Sequence, residues 1–323
     1  MNKNSKIYKE LSYNELNKII KSNFRVDKFE ARLISGGLFN TTYHIKLLDL
    51  KSEIILRVGP SNQELLLPFE HNLMLAEEKV YSILKKEDIP CSTIINCDTT
   101  REIINRNYMI LEYIDSKPLS EVDLSNEIKS DIYKKLGNYI AKIHNINSNK
   151  FGRVYDVLKG NGFNLWSEYL YNEIMESKQN YIDYNVFSED EVKLFGDVIL
   201  KYKEILDAVK TAHLIHADLW DGNILIQSNE GKQEIAAIID ADRSVFGDID
   251  FEFANPWIVN EDFIKGYGAD LKDDTNSEIR RKIYRMIYSI IDSYVWSIEY
   301  NNDKCGLENK DNAIKLALEL IAK

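Results

Sequence analysis

The 323-residue sequence is poor in cysteine and has no long apolar run. Its three cysteines, Cys91, Cys97 and Cys305, are odd in number and contain no C-x-x-C pair. A disulfide framework is therefore not expected, and free thiols in a reducing cytoplasm are. No apolar stretch approaches the ~18 residues of a membrane-spanning helix, and the opening MNKNSKIYKE is polar, so neither a span nor a signal peptide is expected. Runs of Lys and Arg are missing and the formal net charge is −11, which argues against nonspecific nucleic-acid binding and suits a cationic small molecule. There is no Pro/Gly/Ser-rich linker, internal repeat or low-complexity segment. A chain of this length accommodates two lobes, and these would be joined compactly, in a monomer or a weak homodimer.

What the sequence does have is one dense polar stretch, His213 to Asn223, reading HLIHADLWDGN. His216, Asp218 and Asn223 form the pattern H-x-D-L-x-x-x-N. Two apolar runs follow, Ile224 to Ile226 and Ala236 to Ile239, separated by Ser228, Asn229 and Gly231. These read as a β-hairpin with Asp218 and Asn223 before its first strand and Asp240 at the end of its second. Two carboxylates and an amide can then converge. They are hard oxygen donors suited to Mg²⁺ and a hydroxyl group. Kinases use the same loop spacing, with the Asp taking a hydroxyl proton and the Asn binding metal. Other readings stand beside this one: His213, His216 and Asp218 as the metal cluster of a hydrolase, or a nucleotide-binding module without phosphoryl transfer.

Ala217 stands where protein kinases carry Arg, Asp240-Ala241-Asp242 replaces D-F-G, and no A-P-E triplet follows. With HADLWDGNILI and IIDADRSVFGD, the sequence resembles the aminoglycoside phosphotransferase and choline kinase-like family of small-molecule kinases. The resemblance implies an α+β, protein-kinase-like two-lobed fold. A small antiparallel-sheet N-lobe with one main helix (residues 1–113) would bind the nucleotide. A larger, mostly helical C-lobe (residues 114–323) would carry the catalytic loop and acceptor site. It further implies transfer of the γ-phosphoryl of ATP or GTP to a hydroxyl of an aminoglycoside or other antibiotic, choline or ethanolamine, a sugar or an amino alcohol. Asp218 would be the catalytic residue, Asn223 and Asp240 would hold Mg²⁺, and His216 and Asp242 would support them.

Along the chain, Ser12 to Glu15 is a capping box that opens a short helix. Strands are expected over Val26–Ile34, Asn40–Leu48 and Ser52–Val58. The turn Ser35-Gly36-Gly37 looks like the family's phosphate-covering loop, with two glycines rather than three. The third strand should carry a phosphate-binding cation, Arg57, with Lys46 as rival. Leu73–Lys86 reads as a helix ended before Pro90; Glu77 or Glu78 would pair with the cation, and the family pattern favours Glu78. Strands Ser92–Asn96 and Tyr108–Tyr113 follow. Backbone groups of Glu112, Tyr113 and Ile114 would meet a purine ring. Helices are expected over Ile128–Ile146, around Trp166–Ile174, from Ser188 to about Val209, from Thr275 to about Glu299, and over 308–322. His144 and Glu252 read as structural. Glu261, Asp262 and Asp270 are candidate acceptor-site acids.

Overall fold

The computed structural model describes residues 5–34, 37–255 and 257–322. The Ser12 hydroxyl accepts from the Glu15 backbone N–H at 3.3 Å, and the Glu15 carboxylate accepts from the Ser12 N–H at 2.8 Å. Two otherwise orphaned amides are satisfied, and α1 (Tyr13–Asn23) begins there. Its buried face, Leu16, Ile19 and Ile20, packs on a five-stranded antiparallel sheet. The strands are β1 (Phe29–Ile34), β2 (Thr41–Leu47), β3 (Ser52–Val58), β4 (Ile94–Asp98) and β5 (Tyr108–Glu112), in spatial order β1-β2-β3-β5-β4. β1 starts three residues later than its sequence pattern suggests. The Asp27 and Lys28 amides donate to the Asp49 carboxylate instead of to a ladder, while Val26 is already buried under α1.

The period of two along each strand decides the function of this sheet. Tyr43, Ile45, Ile54, Leu56, Val58, Tyr108 and Ile110 face the α1 side. Met109 and Leu111 join the opposite core, and Arg57, in register with Met109, lies on that second face. On the same side lies α2 (Leu73–Lys86), whose bounds match the sequence expectation. Asp88, at φ 53°, turns the chain away before Pro90.

Beyond β5 the chain is mainly helical: α3 (Asn126–His144), α4 (Trp166–Glu176) and α5 (Glu189–Lys201) precede four short strands. These are β6 (Ala212–Ile215), β7 (Ile224–Asn229), β8 (Lys232–Ile238) and β9 (Val245–Gly247). Then come α6 (Glu261–Tyr267), α7 (Thr275–Tyr294) with a π-helical turn over Val295–Glu299, and α8 (Asp303–Ala322). α5 stops at Lys201, short of Val209, and α8 starts five residues before the expected 308. α7 is capped by Asp274, whose carboxylate accepts from the Ser277 amide at 2.9 Å, rather than by Thr275. One continuous core runs from Val80 and Leu84 of α2 through Leu136 and Ile140 of α3 to Tyr284 and Ile287 of α7. The lack of a linker in the sequence has its counterpart in this shared core. Among the described residues no helix is long and apolar enough to cross a membrane.

α3 and α6 cross where Gly137 meets Gly266. A Cβ at Gly137 would overlap the Phe263 carbonyl oxygen, and one at Gly266 the Lys134 carbonyl. Those atoms are helix backbone and cannot swing aside. Gly137→Ala is expected to lower stability by about 1–3 kcal/mol, the usual cost of overpacking. Chemical denaturation checks this; an unchanged midpoint would mean that the two helices separate freely.

Candidate active site

The site begins at the end of β6. The His216 amide donates to Glu252 Oε2 at 2.7 Å and the Ala217 amide to Glu252 Oε1 at 3.1 Å. Ala217 is held at φ 67°, which costs a non-glycine residue of order 1–3 kcal/mol. The Tyr288 hydroxyl, donating to the Ala217 carbonyl at 3.2 Å, helps secure it. Burial pushes the Glu252 carboxyl up, but His144, whose Nε2 is 3.5 Å away, and His216 outweigh burial and hold it below the usual range. It therefore stays charged while gripping the loop. Glu252 and His144 are structural, as their sequence contexts suggest.

His216 Nδ1 accepts from the Asp218 amide at 3.3 Å, so Nε2 carries the proton and donates to the Ile239 carbonyl at 3.0 Å. His213 Nδ1 bonds the His144 carbonyl at 2.6 Å. Both ring nitrogens of His216 are engaged with backbone, which does not fit His216 as a ligand of a hydrolase metal cluster. The Asn223 amide nitrogen donates to the Asp218 carbonyl at 2.8 Å and to its carboxylate at 3.1 Å, leaving the amide oxygen for a cation. β7 and β8 pair as the expected hairpin, Ile224 opposite Ile238, and so bring Asp240 to the same end as Asn223. Asp240 is held at φ 63°, its amide donating to the Tyr81 hydroxyl at 3.1 Å. Burial, and next the charge of Asp240, push the Asp218 carboxyl up, against Arg243, His216 and Asn223. The Asp242 carboxyl is driven well up by burial, Asp240 and Glu77.

Arg57 ties these parts together. Its Nη1 donates to both Glu77 oxygens at 2.5 and 2.6 Å, and its Nη2 to Asp240 Oδ1 at 2.7 Å. The Tyr81 hydroxyl donates to Glu77 at 2.6 Å and accepts from the Asp240 amide, closing a ring of four residues. The partner of Arg57 is thus Glu77, not Glu78. Glu77 shares the inward face of α2 with Leu73, Val80 and Leu84, whereas Glu78 lies a further ~100° round the helix and pairs with Lys79 at 3.1 Å. Lys46 is exposed and sits 3.7 Å from Glu53.

Of the glycine turn, Ser35 and Gly36 lie outside the described residues. A Cβ at Gly37 would come within 2.7 Å of the Asn40 carbonyl oxygen, so the turn is closed on itself there. The Glu112 amide already donates to the Thr93 carbonyl at 2.9 Å, so it is not free for a base; the Tyr113 ring stacks on His44 at 4.2 Å, and Ile114 follows.

Among the described residues no three His, Cys, Asp or Glu side chains converge as a metal cage. The Asp240 carboxylate and the Asn223 amide oxygen are nevertheless the hard donors that suit Mg²⁺, which usually takes one or two protein oxygens plus phosphates. Residues 30–275 match the model of the phosphotransferase enzyme family. The chain belongs to that family. Over 236 residues it is 24% identical to the 4-hydroxytryptamine kinase of Psilocybe cyanescens, covering 64% of this chain and 60% of that protein's length. Its protein-kinase-like fold is shared with spectinomycin phosphotransferase in complex with ADP and spectinomycin (TM-score 0.56, 13% identity, 98% of this chain and 100% of that one). It is shared also with Plasmodium vivax ethanolamine kinase (TM-score 0.59, 17% identity, 91% and 83%).

In this phosphotransferase-family chain the acids expected at the acceptor side fall elsewhere. Glu261 is exposed beside Lys265, and Asp262 pairs with Lys265 and Lys134. Asp270 lines a cavity of about 780 Å³ with His213 and Arg280. Asp292, which the sequence reading missed, is a further acid near enough to Asp218 for their charges to interact. It lies one helical turn beyond Tyr288, and Tyr284 and Tyr288 already point at Asp248 and Ala217. That i, i+4 stripe was the available signal. Burial raises the Asp292 carboxyl to about 6; Arg243 opposes the rise, and Asp218 and Glu70 add to it. Arg243 was also unforeseen. Beyond the Val245–Ile215 pair the Ser244 hydroxyl bonds the His216 carbonyl at 3.4 Å, and Arg243 lines the same small cavity as Ala217.

Arg57→Ala is expected to weaken nucleoside-triphosphate binding roughly 10- to 100-fold, the value of a charge-assisted hydrogen bond, and Lys46→Ala to leave it unchanged. Glu77→Gln should weaken binding and Glu78→Gln should not. Titration calorimetry reads all four variants; the reverse order in either pair would move the phosphate-binding role away from the Arg57–Glu77 pair.

Proposed function

We propose that this protein transfers the γ-phosphoryl group of ATP or GTP to a hydroxyl of a small molecule that also carries an amine. The observation that carries this reading is the convergence of Asp218, Asn223 and Asp240 at the end of one hairpin, with the Arg57 fork braced by Glu77 against Asp240. Family membership supports it. In this reading residues 1–113 hold the nucleotide. Ser35, Gly36 and Gly37 cover its phosphates, Arg57 meets the α- and β-phosphates, and backbone beyond Glu112 meets the base. Residues 114–323 hold the acceptor. A Mg²⁺ ion on Asn223 and Asp240 would neutralise charge on the phosphates.

Asp218 then orients the acceptor hydroxyl and takes its proton as the oxygen attacks the γ-phosphorus; the bond to the bridging oxygen breaks and the diphosphate leaves. A carboxyl pushed upward by burial is a stronger base than an ordinary aspartate. Positioning and charge neutralisation supply most of the catalysis in such transfers. Asp292, a carboxyl that interacts with Asp218 and with Arg243, is the acid this reading gives to the amine. Relatives named for hydroxytryptamine and ethanolamine support the same class.

Asp218→Asn tests the role. It retains size and removes the base, so turnover should fall roughly 10²- to 10⁴-fold while nucleotide affinity changes little. The loss should appear in kcat and kcat/KM together. Steady-state kinetics beside calorimetry measures both. Undiminished turnover in the folded variant would exclude Asp218 as the base.

A further inference from the structure

Two buried glutamates at the junction of the sheet and the helices have no role in the transfer chemistry. Glu70 lies in the connection between β3 and α2 and Glu299 in the π-helical turn after α7; they are 3% and 0% exposed. Glu70 Oε2 accepts from the Leu67 amide at 2.9 Å, but no N–H or O–H donor reaches Glu70 Oε1 or either Glu299 oxygen. The two carboxyl groups meet each other, a contact that is a hydrogen bond only when one of them carries a proton. The nearest cation, Arg243, is 3.6 Å from Glu70 Oε1 and also faces Asp292 and Asp218. One guanidinium cannot balance that many carboxylates. Asp292 also faces Glu70; among the described residues Tyr181, Tyr294 and Tyr300 face the pair as well, and these three phenols are neutral in the ordinary range.

Around this contact three chain segments are sewn together. The Tyr294 hydroxyl donates to the Leu65 carbonyl at 2.9 Å, and the Lys6 amide donates to the Glu299 carbonyl at 2.8 Å. Phe69 lies under Arg153, 4.0 Å from guanidinium carbon to ring centre. The connection that leads into α2, and therefore sets Glu77, rests on the end of α7 through these groups.

We propose that Glu70 and Glu299 share one proton, and that this hydrogen bond latches the connection before α2 onto the end of α7 until rising pH opens it. When both groups ionise in a dry contact they repel: among the described residues Glu299 has no hydrogen-bond donor, and Glu70 has the Leu67 amide and an Arg243 shared with other carboxylates. The sign follows from linkage. Burial, and then Glu70, raise the Glu299 carboxyl well above its ordinary value. The latch is therefore fully present below the ordinary glutamate range and is lost as pH rises through the raised folded value.

The test uses the full chain without ligand. Thermal unfolding from pH 5 to pH 9.5 is compared for the parent, Glu299→Gln and Glu70→Gln, since an amide donates without titrating. The lead of Glu299→Gln over the parent should grow by several degrees across that range, and Glu70→Gln should show the same trend. Hydrogen exchange over residues 63–72, corrected for its intrinsic pH dependence, should accelerate with pH in the parent and not in Glu299→Gln. A stability difference that does not vary with pH in either variant, or equal acceleration in parent and variant, overturns the latch.

Discussion

A single guanidinium holds the two halves of the site in register. Arg57 grows from the inner face of the sheet, Glu77 from α2 and Asp240 from the end of a hairpin in the helical half. Burial alone would lower the Arg57 pKa, but Glu77 and Asp240 carry it well above its ordinary value, so its charge is permanent. The two bonds are not equivalent. Glu77 is 1% exposed, and removing one partner of a buried pair costs about 3–5 kcal/mol. Asp240 is 40% exposed, so its half of the fork can be exchanged for phosphate oxygens without stranding a buried charge. Arginine suits this position where lysine would not: a planar fork addresses two carboxylates at once, and a point charge addresses one well.

The rest of the helical half fixes the other side of the candidate site. The candidate site contains two left-handed residues, Ala217 in the loop before β7 and Asp240 after β8, and each is restrained by groups from distant elements. Glu252 and Tyr288 grip the first, and Tyr81 of α2 grips the second. Tyr284 extends the same scaffold, its hydroxyl donating to Asp248 at 2.7 Å while Trp166 Nε1 donates to it at 2.7 Å. Backbone strain placed beside the reacting groups is thus balanced by buried hydrogen bonds outside them.

Much of this was legible in the sequence because it is local. The hairpin, the Asp218–Asn223 spacing, α2 and two capping boxes each follow from residues a few positions apart. What was misread depends on rotation or on distance. Choosing Glu77 over Glu78 needed the helical phase fixed by Leu73, Val80 and Leu84 rather than a count back from Pro90. That the Thr93 carbonyl occupies the Glu112 amide is a pairing between strands that no local pattern gives. Asp292 and Arg243 reach the site through a helix stripe and a strand register that no short motif encodes, and the Glu70–Glu299 contact joins residues far apart in the chain.

The most direct measurement of the central claim is ³¹P NMR of the protein with ATP, Mg²⁺ and a panel of hydroxyl-bearing amines. A phosphoryl-transfer centre built on Asp218, Asn223 and Asp240 predicts a new phosphomonoester resonance with at least one amine, growing in step with ADP. ATP that binds and yields only inorganic phosphate, or none, across the panel would contradict it.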